Sequence, residues 1–265
     1  MKAKPGKIIS QIVIWLVVLL FALSCLLPLL NMVAISLSGS DAVAANKVGL
    51  WPVDFTITTY NKLLGDSQFW HSFWISVKRV VIGTLINMFF TISMAYPLSK
   101  SKKRFRAREI YMKIVIFAML FNGGVIPLFM VVSKLHLNNT IWSLVLPGAV
   151  PVFNVILLIN FFKGVPESLD ATVALFAIVN HWNDYFSGLI YMSKASMYPL
   201  QTYIQQLTVD LTQITDADQL KQLSALNNRS FNAAKIVVST IPLLIIYPFL
   251  QKYFVTGMVI GAVKE

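Results

Sequence analysis

Residues 163–187 read KGVPESLDATVALFAIVNHWNDYFS. A short polar turn, Lys163 to Asp170, runs directly into an apolar stretch that carries His181, Trp182, Asn183 and Asp184 in its interior. Ala171 to Met192 is about 22 residues long, and crossing a bilayer takes about 20 mostly apolar residues. The stretch therefore reads as a membrane-crossing helix with polar groups at membrane depth.

Working outward, the rest of the chain has the same character. Of its residues 57% are hydrophobic and 12% charged, with a mean hydropathy of +0.69. That apolar surface exceeds what a soluble chain of 265 residues hides in one core, so lipid is the solvent for much of it. Six stretches are long enough to span, at roughly 8–32, 73–98, 110–132, 141–162, 171–193 and 235–258. The expected fold is all-α, a single polytopic membrane domain over residues 1–265 with six transmembrane helices and external loops at 33–72 and 194–234.

Orientation follows from Lys and Arg beside the helix ends, which favour the cytoplasm. Lys2, Lys4 and Lys7 precede the first stretch, and Lys100, Lys102, Lys103, Arg104, Arg106, Arg108 and Lys113 crowd the join between the second and third. Both termini are thus expected in the cytoplasm, with Asp41, Asp54, Asp66, Asp210, Asp216 and Asp218 outside. The net charge of +11 is spent on this pattern and on anionic membrane lipid, so no nucleic-acid partner is expected.

Several chemistries are excluded or unsupported. The apolar run from Ile8 to Leu30 exceeds the ~7–15 residues of a signal-peptide core, so it reads as an uncleaved span. One cysteine, Cys25, forms no internal disulfide. No phosphate-binding Gly-x-x-x-x-Gly-Lys-Ser/Thr loop occurs. His71, His136 and His181 are too dispersed for a metal pair. Neither a catalytic site nor a cofactor is expected.

Polar groups inside spans carry the functional signal, because an ionised Asp near a helix centre costs about 2.5–3.5 kcal/mol and must face protein or water. At helical spacing Asn180, Asp184, Ser187 and Tyr191 share one face, expected to line the bundle interior. That face reads either as the wall of a polar path or as an interhelical clamp. His181 and Trp182 suit stacking on a ring, or packing. Asn122-Gly123-Gly124 with Pro127 weakens the third span near mid-membrane, giving a hinge or a close helix approach. Pro147, Pro151, Pro242 and Pro248 predict kinks. Outside, Phe55 to Leu64 predicts a short helix along the outer membrane surface, with Tyr60, Leu63 and Leu64 on one face.

Four segments carry a family resemblance. Gly164-Val165-Pro166-Glu167-Ser168-Leu169 resembles the opening of the coupling loop of carbohydrate-uptake ABC importer permeases, of the maltose-permease G type and the Firmicute oligosaccharide-importer type. Trp51-Pro52-Val53-Asp54-Phe55-Thr56 with Tyr60 resembles their external segment, and Ala95-Tyr96-Pro97-Leu98-Ser99-Lys100 the exit of their second span. Ile241-Pro242, Tyr247 to Gly257, and Gly261-Ala262-Val263-Lys264 resemble their C-terminal signature. The resemblance implies a type I ABC importer permease fold in the bacterial plasma membrane. It implies a transporter subunit, not an enzyme, forming half of a sugar-importing pore by alternating access. Its implied partners are a second permease subunit, two cytoplasmic ATP-binding subunits and an extracellular sugar-binding lipoprotein. Path residues are then expected among Asn122, Asn180, His181, Trp182, Asp184 and Tyr191.

One departure stands out. In the family the coupling loop continues through a Glu-Ala-Ala helix that docks on the ATPase. Here Gly164, Pro166, Glu167, Leu169 and Asp170 remain as its start, and Asp170 abuts Ala171. Roughly 25–30 residues are missing, although the remaining helix still reaches across the bilayer. Impaired coupling is expected. A secondary carrier using Asp184 as an ion site and a non-transporting membrane scaffold are the alternatives.

Overall fold

The computed structural model describes residues 5–164, 170–209 and 228–262. The chain divides into two compact units, one formed by residues 5–66 and 228–238 and the other by 67–164, 170–207 and 239–262. Every regular element among the described residues is helical.

In the first unit, α1 (Pro5–Ser36) is an uninterrupted helix, apolar and exposed from Ser10 to Leu30. That exposure fits a helix whose surroundings are apolar. Short helices α2 (Ser40–Ala44) and α3 (Thr58–Leu64) follow. Ile35, Val43 and Ala233 pack together, so the end of α1 meets α2 and the start of the last helix. The α3 helix forms where the sequence predicts one, but its faces differ from the expectation. Leu63 is fully buried while Leu64 is exposed, and Tyr60 shares a 2.7 Å hydrogen bond with Ser36.

The second unit is built on α4 (Ser67–Ser99), followed by α5 (Arg108–Leu120), α6 (Val125–Lys134), α7 (Ile141–Val145), a 3-10 turn at Leu146–Gly148 and α8 (Val152–Gly164). Then come α9 (Asp170–Asn183), α10 (Phe186–Tyr191) and α11 (Leu200–Val209). The chain closes with α12 (Asn228–Ala262), whose first part belongs to the other unit. An apolar core of Ala95, Leu98, Val115, Val155, Leu158, Ile159 and Val173 joins α4, α5, α8 and α9.

The six expected spans are matched in part. Among the described residues three helices are long and apolar enough to cross a membrane, within α1, α4 and α12, or up to five if each of two bent pairs is one span. The predicted third span is α5 and α6, bent by 112°. Gly124 turns there at φ 85°, a conformation glycine adopts without steric cost. The fourth is α7 with its 3-10 turn and α8, bent by 50°, with Pro147 in the turn and Pro151 just ahead of α8. The fifth is divided between α9 and α10. Pro242 and Pro248, in contrast, lie within a continuous α12. Of the coupling-turn residues, Gly164 ends α8 and Asp170 opens α9, whereas Pro166, Glu167 and Leu169 lie outside the described residues. So do Asp210, Asp216 and Asp218 of the second loop expected outside.

Candidate functional site

The buried positions of α4 are Phe69, Ser72, Ser76, Arg79, Gly83, Asn87, Thr91, Ala95 and Leu98. They recur every three or four residues, which places them on one face of the helix. Most are small or polar, as expected where the outside is lipid and helices approach closely through small side chains and hydrogen bonds. Ser76 Oγ accepts the Leu200 N–H at 2.7 Å. Asn87 Nδ2 donates to the Gly148 carbonyl at 3.1 Å, and Asn87 Oδ1 lies 3.0 Å from His181 Nε2. A Cβ placed on Gly83 would sit 2.6 Å from Cε1 and 2.7 Å from Cδ2 of His181. Glycine there lets the imidazole ring lie flush against the α4 backbone.

Asp184 meets this face at Arg79. The Arg79 guanidinium pairs with Asp184 Oδ2 through Nη2 and donates from Nη1 to the Asp184 carbonyl at 2.8 Å. Asp184 also accepts the Ser187 N–H on Oδ1 at 3.1 Å and the Ser187 hydroxyl on Oδ2 at 2.6 Å. These bonds explain the division of the predicted fifth span. The helix stops after Asn183, the carboxylate takes an amide in the first turn of α10, and Arg79 takes the carbonyl left free. Arg79 is 2% exposed, so the pair is a buried one in which each member is needed to compensate the other. Asp184 therefore sits in a clamp between α4 and the α9–α10 break.

The other expected path residues separate. Trp182 is buried, its Nε1–H donating to the Ser239 carbonyl at 3.1 Å and its ring edge-to-face with Phe73. Tyr191 is buried, with its ring parallel to that of Phe129 and its carbonyl accepting the Asn139 N–H at 3.0 Å. Asn122 is exposed in the α5–α6 break, where its Oδ1 accepts the Gly124 N–H at 2.9 Å. Asn180 is exposed and opens onto a notch of about 400 Å3 lined by Asn87, Asn154, Asn183, Phe153 and Phe176 as well as itself.

Four carboxamides from α4, α8 and α9 thus converge on one recess. At 1.5 Å per residue the recess lies about 15–18 Å from the Ser99 end of α4 and the Asp170 end of α9, near the middle of a ~30 Å apolar layer. Uncharged amides offer both donors and acceptors at low desolvation cost, the chemistry that binds hydroxyl-rich neutral groups. A second hollow of about 900 Å3 lies nearer the Ser67 end of α4, lined by His71, Trp74, Lys78, Asn139, Thr140 and Trp142 among others. Asn139 is fixed there by bonds to Ser193 N at 2.7 Å and Ser193 Oγ at 2.9 Å.

Sequence reasoning singled out Asn180 and Asp184, and noted Asn183 beside them, but missed Arg79, Asn87 and Asn154 as their neighbours. The available signal was the stripe of small and polar residues from Ser72 to Ala95, repeating with helical period inside an otherwise apolar segment.

Comparison with known proteins places this arrangement. No family model matches the chain. It is 36% identical to protein LplC of Bacillus subtilis, over 90% of this chain and 89% of the relative. It is 34% identical to the polygalacturonan/rhamnogalacturonan transport system permease protein YtcP of the same organism, over 93% and 95%. Among solved structures it resembles a chain of a bacterial ABC transporter involved in the import of the acidic polysaccharide alginate. That match has a TM-score of 0.85 and 29% identity, and covers 96% of this chain and 99% of the other. These matches run along nearly the whole of each partner, so the chain belongs to the permease subunits of carbohydrate ABC transporters.

Proposed function

We propose that this chain is one half of the membrane pore of an ATP-driven, binding-protein-dependent importer of sugars or oligosaccharides. It pairs with a second permease subunit, receives substrate from an extracellular sugar-binding lipoprotein and is driven by two cytoplasmic ATP-binding subunits. It crosses the plasma membrane six times, through bent and broken helices as well as straight ones, with both termini in the cytoplasm. Import proceeds by alternating access, loaded binding protein and ATP each favouring the same state of the permease.

The observation that carries the path assignment is the mid-depth recess bearing Asn87, Asn154, Asn180 and Asn183. Sugar hydroxyls exchanging water for amides there keep their hydrogen bonds during passage, and no lining charge holds a neutral sugar back. The arabinooligosaccharides in one relative's name are hydroxyl-rich neutral cargoes of this kind, whereas the polygalacturonan in another's carries carboxylates beside its hydroxyls.

Coupling to the ATPase is impaired in this chain. A permease is driven only through surface that differs between its states, and Val165 to Asp170 offers little. A shortened chain also accounts for match lengths: the match to the arabinooligosaccharide permease AraQ of Halalkalibacterium halodurans extends over 302 positions and takes in all 265 residues here. Dozens of those positions therefore face gaps in this chain. The test is reconstitution with the permease partner, ATPase and sugar-loaded binding protein, beside a version carrying a family-type Glu-Ala-Ala loop after Leu169. Weak sugar-stimulated ATP hydrolysis by the unmodified chain and recovery on insertion are expected. Full stimulation without the insertion overturns the impairment, and absence of uptake by both versions overturns the importer reading.

A further inference from the structure

The first external loop is clipped along the outer end of α1, and the clip sets its depth. Asn31 Nδ2, inside α1, donates to the Gly49 carbonyl at 2.6 Å. Six residues further along, the Leu37 carbonyl accepts the Thr56 N–H at 2.9 Å. Between these points Ser38 Oγ accepts the Val53 N–H at 3.0 Å, and the Gly39 N–H donates to the Val53 carbonyl at 3.1 Å. The chain thus leaves α1 at Ser36, turns back toward the helix middle by residue 49, and climbs again to residue 56. Asn46 and Asp54, with φ of 56° and 52°, stand on either side of the returning segment, in the left-handed conformation that Asn and Asp tolerate in turns.

The α1 sequence supplies an absolute scale for that depth. From Ile8 to Leu30 its side chains are apolar apart from Ser10, Gln11 and Ser24, and Ser24 Oγ is satisfied by the Phe21 carbonyl at 2.8 Å. At 1.5 Å per residue this run is about 34 Å long, enough to cross a ~30 Å hydrocarbon layer with slight tilt. Asn31 is then the residue at which the hydrocarbon ends. Gly49, bonded to it, is held at that boundary. Leu50 and Trp51 follow directly and are 47% and 82% exposed. Beside them Lys47 is exposed, a cation within reach of phosphate. Phe55 and Ile57, also exposed, flank the clip at Leu37, about 9 Å further out.

We infer that the 47–51 turn is a membrane anchor, with the Trp51 indole and Leu50 inserted at the boundary between headgroups and acyl chains of the outer leaflet. The partner of this surface is phospholipid. The α1 surface that runs continuously below the turn is apolar and exposed, a bulky amphipathic indole gains most at this boundary, and Lys47 complements an anionic headgroup. The anchor fixes the depth of α1 and of the loop hung on it, and it holds whether or not the chain transports anything.

The test uses the full chain in nanodiscs of phosphatidylcholine and phosphatidylglycerol whose acyl chains carry bromine either near the headgroup or near the chain end. Subtracting the fluorescence of a Trp51→Phe variant isolates Trp51 from the other five tryptophans, and the substitution falls on a side chain too exposed to matter for folding. Bromine near the headgroup should quench the Trp51 signal about twofold more than bromine near the chain end, with little quenching by aqueous acrylamide, as for an indole at the interface. Strong acrylamide quenching without a bromolipid effect would place Trp51 in water and overturn the anchor. The experiment is repeated with the permease partner present. Loss of bromolipid quenching there would make the turn a protein contact and overturn it equally.

Discussion

If Arg79 and Asp184 compensate each other inside the helix bundle, their substitutions should be unequal and strongly coupled. Asp184→Leu leaves the guanidinium at 2% exposure with its remaining bond to the residue-184 carbonyl, and an uncompensated buried charge costs about 3–5 kcal/mol. Arg79→Leu leaves a carboxylate whose side chain is 28% exposed and still bonded twice to Ser187, so the loss is nearer ~1–3 kcal/mol, as for an under-satisfied polar group. The double variant strands no charge. It should be more stable than Asp184→Leu alone, with a coupling energy of about 2 kcal/mol, within the range seen for contacting residues. The assay is thermal unfolding of the purified chain in detergent, followed by tryptophan fluorescence. At roughly 2–4 °C per kcal/mol, Asp184→Leu should lower the Tm by about 10 °C, and adding Arg79→Leu should restore part of it. Equal single effects that simply add in the double variant would refute the clamp.

Gly83→Ala should cost about 1–3 kcal/mol, because its Cβ overlaps the His181 ring and the core must shift; the same change in a His181→Ala background should be nearly neutral, and a Tm comparison of the four proteins decides. Asn180→Leu and Asn183→Leu, both at exposed positions of the recess, should leave Tm unchanged. Each should slow sugar uptake about fivefold in a reconstituted transporter whose chain carries the inserted coupling loop, the loss expected for one hydrogen bond of about 1 kcal/mol; unchanged uptake in both would move the path elsewhere. In a Cys25→Ser background, a membrane-impermeant thiol reagent applied to sealed cells should reach Lys194→Cys and miss Lys103→Cys, and the reverse pattern would invert the topology.

Much of this architecture was legible in the residue order, and what was not has identifiable causes. Apolar length located α1, α4 and α12, because a run of that kind has no other stable solvent than lipid. It could not reveal that the fifth stretch divides at Asp184, because the break is stabilised by Arg79, 105 residues away. Hydrophobic periodicity registers no partner at such a distance. Asn122-Gly123-Gly124 did announce irregular backbone, and the structure places a 112° bend there. Asp184 was recognised as facing protein from its desolvation cost alone. The amides that surround Asn180 were harder to foresee, because Asn87 and Asn154 come from other helices and only packing brings them to one recess.

The α5–α6 bend has a consequence for the life of the chain before assembly. The thirteen residues of α5 carry the backbone about 20 Å from the basic join, a distance that falls within a ~30 Å hydrocarbon layer where α5 enters one. There the last carbonyls of α5 and the first amides of α6 lack partners within their helices. Asn122 satisfies one of them, the Gly124 N–H. Phe121 and its neighbours are exposed, and acyl chains donate and accept no hydrogen bonds. A newly inserted copy standing alone in the bilayer thus displays unsatisfied backbone on its surface, a defect that another polypeptide or a water-filled space must cover.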